Sequence, residues 1–130
     1  MIRALWVWGP AAAQMAAIFY ASSLPDLSAL PGGISDTVGH FAGYALLGAL
    51  LLRALSGARA SGATAAVAWW AWLASVAYGL SDEGHQFFVP GRSPALDDLV
   101  SDAAGAAVAI AVCWLATRAV HARRVQRGEV

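Results

Sequence analysis

The stretch Ser81-Asp82-Glu83-Gly84-His85-Gln86-Phe87-Phe88-Val89-Pro90-Gly91-Arg92, continued by Ser93-Pro94-Ala95-Leu96-Asp97-Asp98-Leu99-Val100-Ser101-Asp102, holds five of the chain's eight acids between two apolar runs. A second stretch, Asp26 to His40, holds two more acids, and Glu129 is the last. Ionisable groups flanked this closely by apolar sequence persist at membrane depth only where they pair, line a wet cavity or do chemistry. The two stretches are therefore the place to look for function.

Working outward, 59% of the 130 residues are hydrophobic and 12% charged, with a mean hydropathy of +0.60. Soluble domains carry about 25% charged residues. Four segments, 4–22, 38–55, 64–80 and 99–117, are apolar over about the length that crosses a bilayer core of roughly 30 Å. The expected fold is all-α, a single domain over 1–130 built as an integral membrane bundle of four transmembrane helices with two loops on its outer face. The first segment reads as a span, not a secretory signal, because it is longer than the roughly 7 to 15 residues of a signal's apolar region and more spans follow it. Cys113 is the one cysteine, so no internal disulfide forms and the thiol reads as a packing residue.

Charge gives the orientation. With four spans, Arg3, Arg53, Arg59, Arg118, Arg123, Arg124 and Arg127 share one side with Glu129, while Arg92 is the lone cation beside the other seven acids. The positive-inside rule puts both termini in the cytoplasm and both acidic stretches outside, in a bacterial-type inner (plasma) membrane. Trp6, Trp8, Trp69, Trp70, Trp72 and Trp114 fall toward the cytoplasmic ends of their segments, as an interfacial belt does. The basic tail, 118–130, reads as a topology anchor touching anionic lipid, with no nucleic-acid partner expected.

Helices in lipid associate through small residues that let backbones approach. Gly39 and Gly43, with Gly48 deeper, mark the second span, and Ser101 and Gly105 the fourth; together they predict close approach of these two spans. The Gly39/Gly43 face is also the expected surface for any oligomer. A short internal repeat, DxxxHxxG at Asp36, His40 and Gly43 and DxxxDxxG at Asp98, Asp102 and Gly105, follows Pro31-Gly32 in one case and Pro90-Gly91 in the other. It suggests two hairpins related by a twofold axis near the membrane normal.

The polar residues sort by helical spacing. Asp36, His40 and Tyr44 are four apart and share a face, so Asp36 is expected to orient His40. Glu83 and Gln86 share another, and Glu83 is expected to point inward while its neighbour Asp82, like Asp26 and Asp97, caps or meets water. Asp98 and Asp102 share a third face with Gly105. Two readings of the acids stand: crowded carboxylates suit a general acid or base, and they also suit a divalent cation. Arg92 either neutralises Asp97 or Asp98 or grips a phosphate or carboxylate ligand. Phe87 and Phe88 are expected to dip into the headgroup region. No HExxH, P-loop, GxSxG or CxxC occurs, so zinc proteases, nucleotide sites, serine hydrolases and thiol redox centres are not indicated.

These residues resemble the VanZ-like membrane proteins, named after an accessory protein of glycopeptide-resistance clusters associated with teicoplanin resistance. The resemblance runs over about the whole chain. It is carried by Phe19-Tyr20-Ala21-Ser22-Ser23, by Asp36, His40, Phe41 and Tyr44, by Asp82 through Arg92, and by Asp98, Asp102 and Gly105. The chain departs from the pattern at Thr37, where the family often has lysine, and at Gly84, where it has a branched apolar residue. The loss of that lysine leaves the outer site more acidic. The family's polar pattern falls on Asp36, His40, Glu83, Gln86, Arg92, Asp98 and Asp102.

The expected function is recognition or processing of a lipid headgroup or lipid-linked cell-envelope precursor, linked to glycopeptide resistance. As a membrane-embedded hydrolase or transferase, the chain would use Glu83 as acid or base with His40 and Asp36 as catalytic partners. Arg92, Gln86, Tyr44 and His85 would bind substrate, and Asp98 and Asp102 would hold a divalent cation. The alternatives are a non-enzymatic module binding envelope lipid or antibiotic and a proton- or ion-coupled carrier, for which four spans leave little room.

Overall fold

The structure, a computed structural model, describes residues 1–25 and 35–128. Asp26 and the Pro31-Gly32 turn expected from the sequence lie outside the described residues. Among those described, all regular structure is helical: α1 (Ile2–Ser22), α2 (Asp36–Leu55), a 3-10 turn (Ala60–Gly62), α3 (Ala65–Gln86) and α4 (Leu96–Gln126). Each apolar segment has become one helix. The starts differ by one to three residues, and two ends run well past those expected. Nothing from Ser81 to Gln86 breaks a helix, so α3 continues past Leu80, and α4 runs on through the basic tail.

Two described helices, α2 and α4, are long and apolar enough to cross a membrane. With 21 and 22 residues, α1 and α3 match the 20 of α2 in length but fall short in hydropathy. Gly9, Pro10 and Gln14 dilute α1, and Ser75, Gly79 and the polar end from Ser81 dilute α3.

Local chemistry sets the starts. Ser35 caps α2 by accepting from Val38 N at 3.4 Å, and Thr64 caps α3 by accepting from Val67 N at 3.2 Å. The N-cap residue of α4 is Ala95, which has no capping side chain. Its amide instead donates to Glu83 Oε2 at 2.9 Å, so a carboxylate of α3 fixes where α4 begins.

Packing is most extensive between α2 and α4, and glycine makes it so. A Cβ on Gly105 would collide with the Phe41 carbonyl, and one on Gly48 would sit 3.0 Å from Ala106 Cα. The expected close approach of these helices therefore holds for Gly48 and Gly105 but not for Gly39 and Gly43. Gly43 faces Ile18 of α1, and Gly39 has open space. Tyr44, Leu47, Leu51, Ala71, Ala106 and Ile110 form the apolar core.

Ser22 joins Asp82, Ser101 joins Thr37 and Ala95 joins Glu83, so the last turns of α1 and α3 and the first turns of α2 and α4 come together. This is the polar end of the bundle. At the opposite, arginine end, Arg53 Nη1 donates to Trp6 O (3.0 Å) and Val7 O (3.1 Å), and Trp114 Nε1 donates to Ala63 O (2.9 Å). Arg53 and Arg118 lie over the Trp6 and Trp114 rings at 5.3 and 5.2 Å.

The distribution of polarity is inverted relative to a soluble bundle. His40, Ser75, Asp82, Glu83, Gln86 and Asp102 are buried, while Leu5, Phe19, Val38, Leu46, Trp69, Val108, Val112 and Leu115 are exposed. An exposed apolar surface with the polar groups withdrawn into the bundle is the arrangement a lipid solvent favours.

Candidate functional site

All four helices contribute to the polar end. His40, one turn into α2, is 8% exposed and places Nδ1 2.9 Å from Asp102 Oδ1 of α4. Its Nε2 lies 3.7 Å from Asp36 Oδ1. The carboxylate that grips the imidazole is thus Asp102, not the expected Asp36. Four-residue spacing puts Asp36 on the same face, but its side chain is 42% exposed at the helix start, where Arg92 Nη1 takes its other oxygen at 3.1 Å. The motif's equivalent positions, His40 and Asp102, are the two that meet.

Arg92 reaches Asp36 because of a tight turn. Arg92 N donates to Val89 O at 3.1 Å, Pro90 follows Val89, and Gly91 has φ of 84°. That is the pattern of a type II turn, which requires positive φ at its third residue. A Cβ on Gly91 would also stand 3.1 Å from Pro25 O. Arg92 pairs with Asp36; no contact joins it to the expected Asp97 or Asp98, and Asp97 is exposed as anticipated.

The reading of Asp82 needs correction. Expected to cap or meet water, it is 3% exposed and accepts from Ser22 Oγ at 2.8 Å. Glu83 beside it is also buried, at 7%. Neighbours on a helix point about 100° apart, and with α1 on one side of α3 and α4 on the other both carboxylates go inward. The four-residue spacing of Tyr78 and Asp82 was the available signal, since Tyr78 also faces α1, donating to Met15 O at 2.6 Å. Ser22 was another participant that spacing alone did not single out.

Gln86 is 2% exposed and Tyr44 1%, with Tyr44 stacked near-parallel on His40 at 6.4 Å. His85 is elsewhere: its Nε2 is 3.0 Å from Ser23 Oγ and its ring stacks on Phe19 at 4.5 Å, so it fastens α3 to α1. Phe87 and Phe88 are exposed and packed edge-to-face.

A cavity of about 220 Å³ opens between α1 and α2 at this end. Its sides are apolar, from Ala17, Ile18, Ala21, Gly39 and Gly43, and its polar wall comprises Asp36, His40, Tyr44, Asp82 and Arg92. Glu83, Gln86, Asp98 and Asp102 lie behind that wall. Among the described residues, six buried side-chain atoms have no hydrogen-bond partner: Tyr44 Oη, Asp82 Oδ1, Glu83 Oε1, Gln86 Nε2, Arg92 Nε and Asp102 Oδ2. All belong to the polar end. Glu83 is held on one side only, its Oε2 accepting from the Ala95 amide while Oε1 is left over.

For a cation, the expected pair Asp98 and Asp102 is not a single site. Asp102 groups with His40 and Glu83, and Asp98 with His40 and Asp36. His40 is common to both groups.

A helical protein with two membrane-compatible helices, an apolar exterior and a recessed site of imidazole, carboxylates and guanidinium is a small membrane protein. The chain belongs to the VanZ/LLP1 family, whose profile matches residues 6–117. No curated protein and no solved structure matches it.

Proposed function

We propose that the cavity between α1 and α2 receives the polar head of an anionic membrane lipid or lipid-linked cell-envelope precursor, with the attached chain leaving along the apolar sides. The observation that carries this reading is the cavity's two-part lining. Apolar, small residues flank an opening toward the exterior of the bundle, and Arg92, His40 and Tyr44 stand at its polar wall. Arg92 offers a planar fork matched to phosphate, and its Nε is buried without a partner.

The same reading places the bundle across a membrane by all four helices. Each has at least 20 residues, and at about 1.5 Å rise per residue that spans a core of roughly 30 Å. Both termini then face the cytoplasm with the arginine end, and the polar end faces outward. The family's general link to resistance supports an envelope role, in which altered lipid or precursor presentation changes glycopeptide (teicoplanin-type) susceptibility.

Binding of phosphatidylglycerol, phosphatidylcholine and a polyprenyl phosphate to the purified chain, read by native mass spectrometry, tests this. Arg92→Gln should weaken binding of the anionic lipids at least tenfold and leave phosphatidylcholine unchanged. Equal binding of all three lipids by the unsubstituted chain sinks the proposal.

A second reading adds turnover. Glu83, buried with Oε1 unpartnered, sits beside His40 and would supply or accept a proton during headgroup hydrolysis or transfer. Release of a headgroup product that is lost in Glu83→Gln, with lipid binding retained, would support it; lipid recovered intact supports the binding module.

A further inference from the structure

Behind the cavity wall, His40 of α2, Glu83 of α3 and Asp102 of α4 converge, with one ligand atom from each within 4.8 Å of the other two. Their residues are 8%, 7% and 0% exposed. Ordinary hydrogen bonding uses only part of this set. Glu83 Oε2 accepts from Ala95 N and Asp102 Oδ1 faces His40 Nδ1, each at 2.9 Å. Glu83 Oε1 and Asp102 Oδ2 are left buried with no partner, which costs heavily for carboxylates unless something positive meets them.

We infer that His40, Glu83 and Asp102 form a binding site for one divalent transition-metal ion of the zinc type. Charge is the first reason: a neutral imidazole, two carboxylates and a divalent ion sum to zero, the state an apolar interior tolerates best. Donor type is the second. Imidazole suits zinc and its neighbours in the transition series, whereas magnesium and calcium take oxygen sets. Geometry is the third. Ligand atoms about 2.0–2.2 Å from a tetrahedral zinc stand roughly 3.3–3.6 Å apart, so the 2.9 Å nitrogen–oxygen pair opens slightly and the other pairs, all within 4.8 Å, are reached by rotamer adjustment.

Coordination through His40 Nδ1 leaves the ring proton on Nε2, which faces Asp36 Oδ1 at 3.7 Å. A carboxylate behind the second nitrogen of a metal-bound imidazole is the usual outer-shell arrangement. Asp36 is in turn held by Arg92 at 3.1 Å, so the cation's outer shell is part of the cavity's polar wall. Three protein ligands leave a fourth position for water or a ligand oxygen. The Asp36, His40 and Asp98 group is the weaker alternative, because Asp36 is 42% exposed and already paired with Arg92.

The site shares His40 with the lipid reading, so the two are tested apart. The chain, purified in detergent without a histidine tag and stripped with EDTA, is titrated with Zn²⁺, and separately with Mg²⁺, by calorimetry. One Zn²⁺ per chain at micromolar or tighter Kd is expected, with Mg²⁺ at least a hundredfold weaker. Glu83→Gln and Asp102→Asn should each weaken Zn²⁺ at least tenfold, and Asp97→Asn, exposed at the same helix start, should not. Should either variant lose its helical circular dichroism, the visible spectrum of the Co²⁺-loaded unsubstituted chain decides: a tetrahedral mixed nitrogen–oxygen spectrum supports the site. Absence of stoichiometric Zn²⁺, or unchanged affinity in both folded variants, overturns it. Lipid binding measured in EDTA reports on the lipid reading alone.

Discussion

The two ends of the bundle solve the same problem differently. At the arginine end, long side chains and tryptophans reach backbone carbonyls and ring faces, and no described buried side-chain polar atom there lacks a partner. At the polar end, six such atoms are left over after every internal bond is counted. Buried polar groups in native proteins are nearly always satisfied. One end is satisfied by its own side chains, and the other leaves buried polar atoms over for whatever meets them, which is the premise of both the lipid and the cation proposals.

The most damaging way to break this contrast is at the seam serving both ends. Gly105→Val drives a side chain into the Phe41 carbonyl, and separating α2 from α4 should cost about 3 kcal/mol or more, abolishing a cooperative thermal transition in detergent. Asp102→Ala comes next. It strands His40, whose Nδ1 loses its 2.9 Å partner, and should cost about 1–3 kcal/mol, read as a lowered thermal midpoint. If Asp102→Ala is neutral, the polar end is not held by this pair.

Glu83 separates an acceptor role from a charge role. Glu83→Gln keeps an oxygen for the Ala95 amide and should hold the fold, whereas Glu83→Leu leaves that amide without its 2.9 Å partner and should lose about 1–2 kcal/mol more. Gly91→Ala, at φ of 84°, should cost about 1 kcal/mol and, by re-aiming Arg92, weaken anionic lipid binding severalfold. The smallest effect belongs to the arginine end: Trp114→Phe deletes one donor to Ala63 O, should cost about 0.5–1.5 kcal/mol, and should leave both lipid and Zn²⁺ binding unchanged. A change in either would mean that the ends are coupled.

Much of the polar end was legible beforehand because helical spacing is a local property. Asp36, His40 and Tyr44 share a face, Glu83 and Gln86 are buried, and Gly105 lies at a helix contact, all as period alone suggests. Partners were less legible. Arg92 chose Asp36 across the loop instead of the nearer Asp97 or Asp98, since the turn at Gly91 directs it toward α2. His85, bracketed by site residues in sequence, rotates onto α1 and leaves the site.

Four helices, the segregation of arginines from acids and the candidate polar residues were all readable from the sequence, because hydropathy and charge act through composition over a single segment. Only the tertiary structure decided that Asp102 rather than Asp36 grips His40, that Asp82 is buried beside Glu83, and that His40, Glu83 and Asp102 meet. Those outcomes depend on how far apart three helices pack and how each is rotated. The glycines at Gly48, Gly79 and Gly105 set that distance, and its effect on pairing appears only when the helices are together.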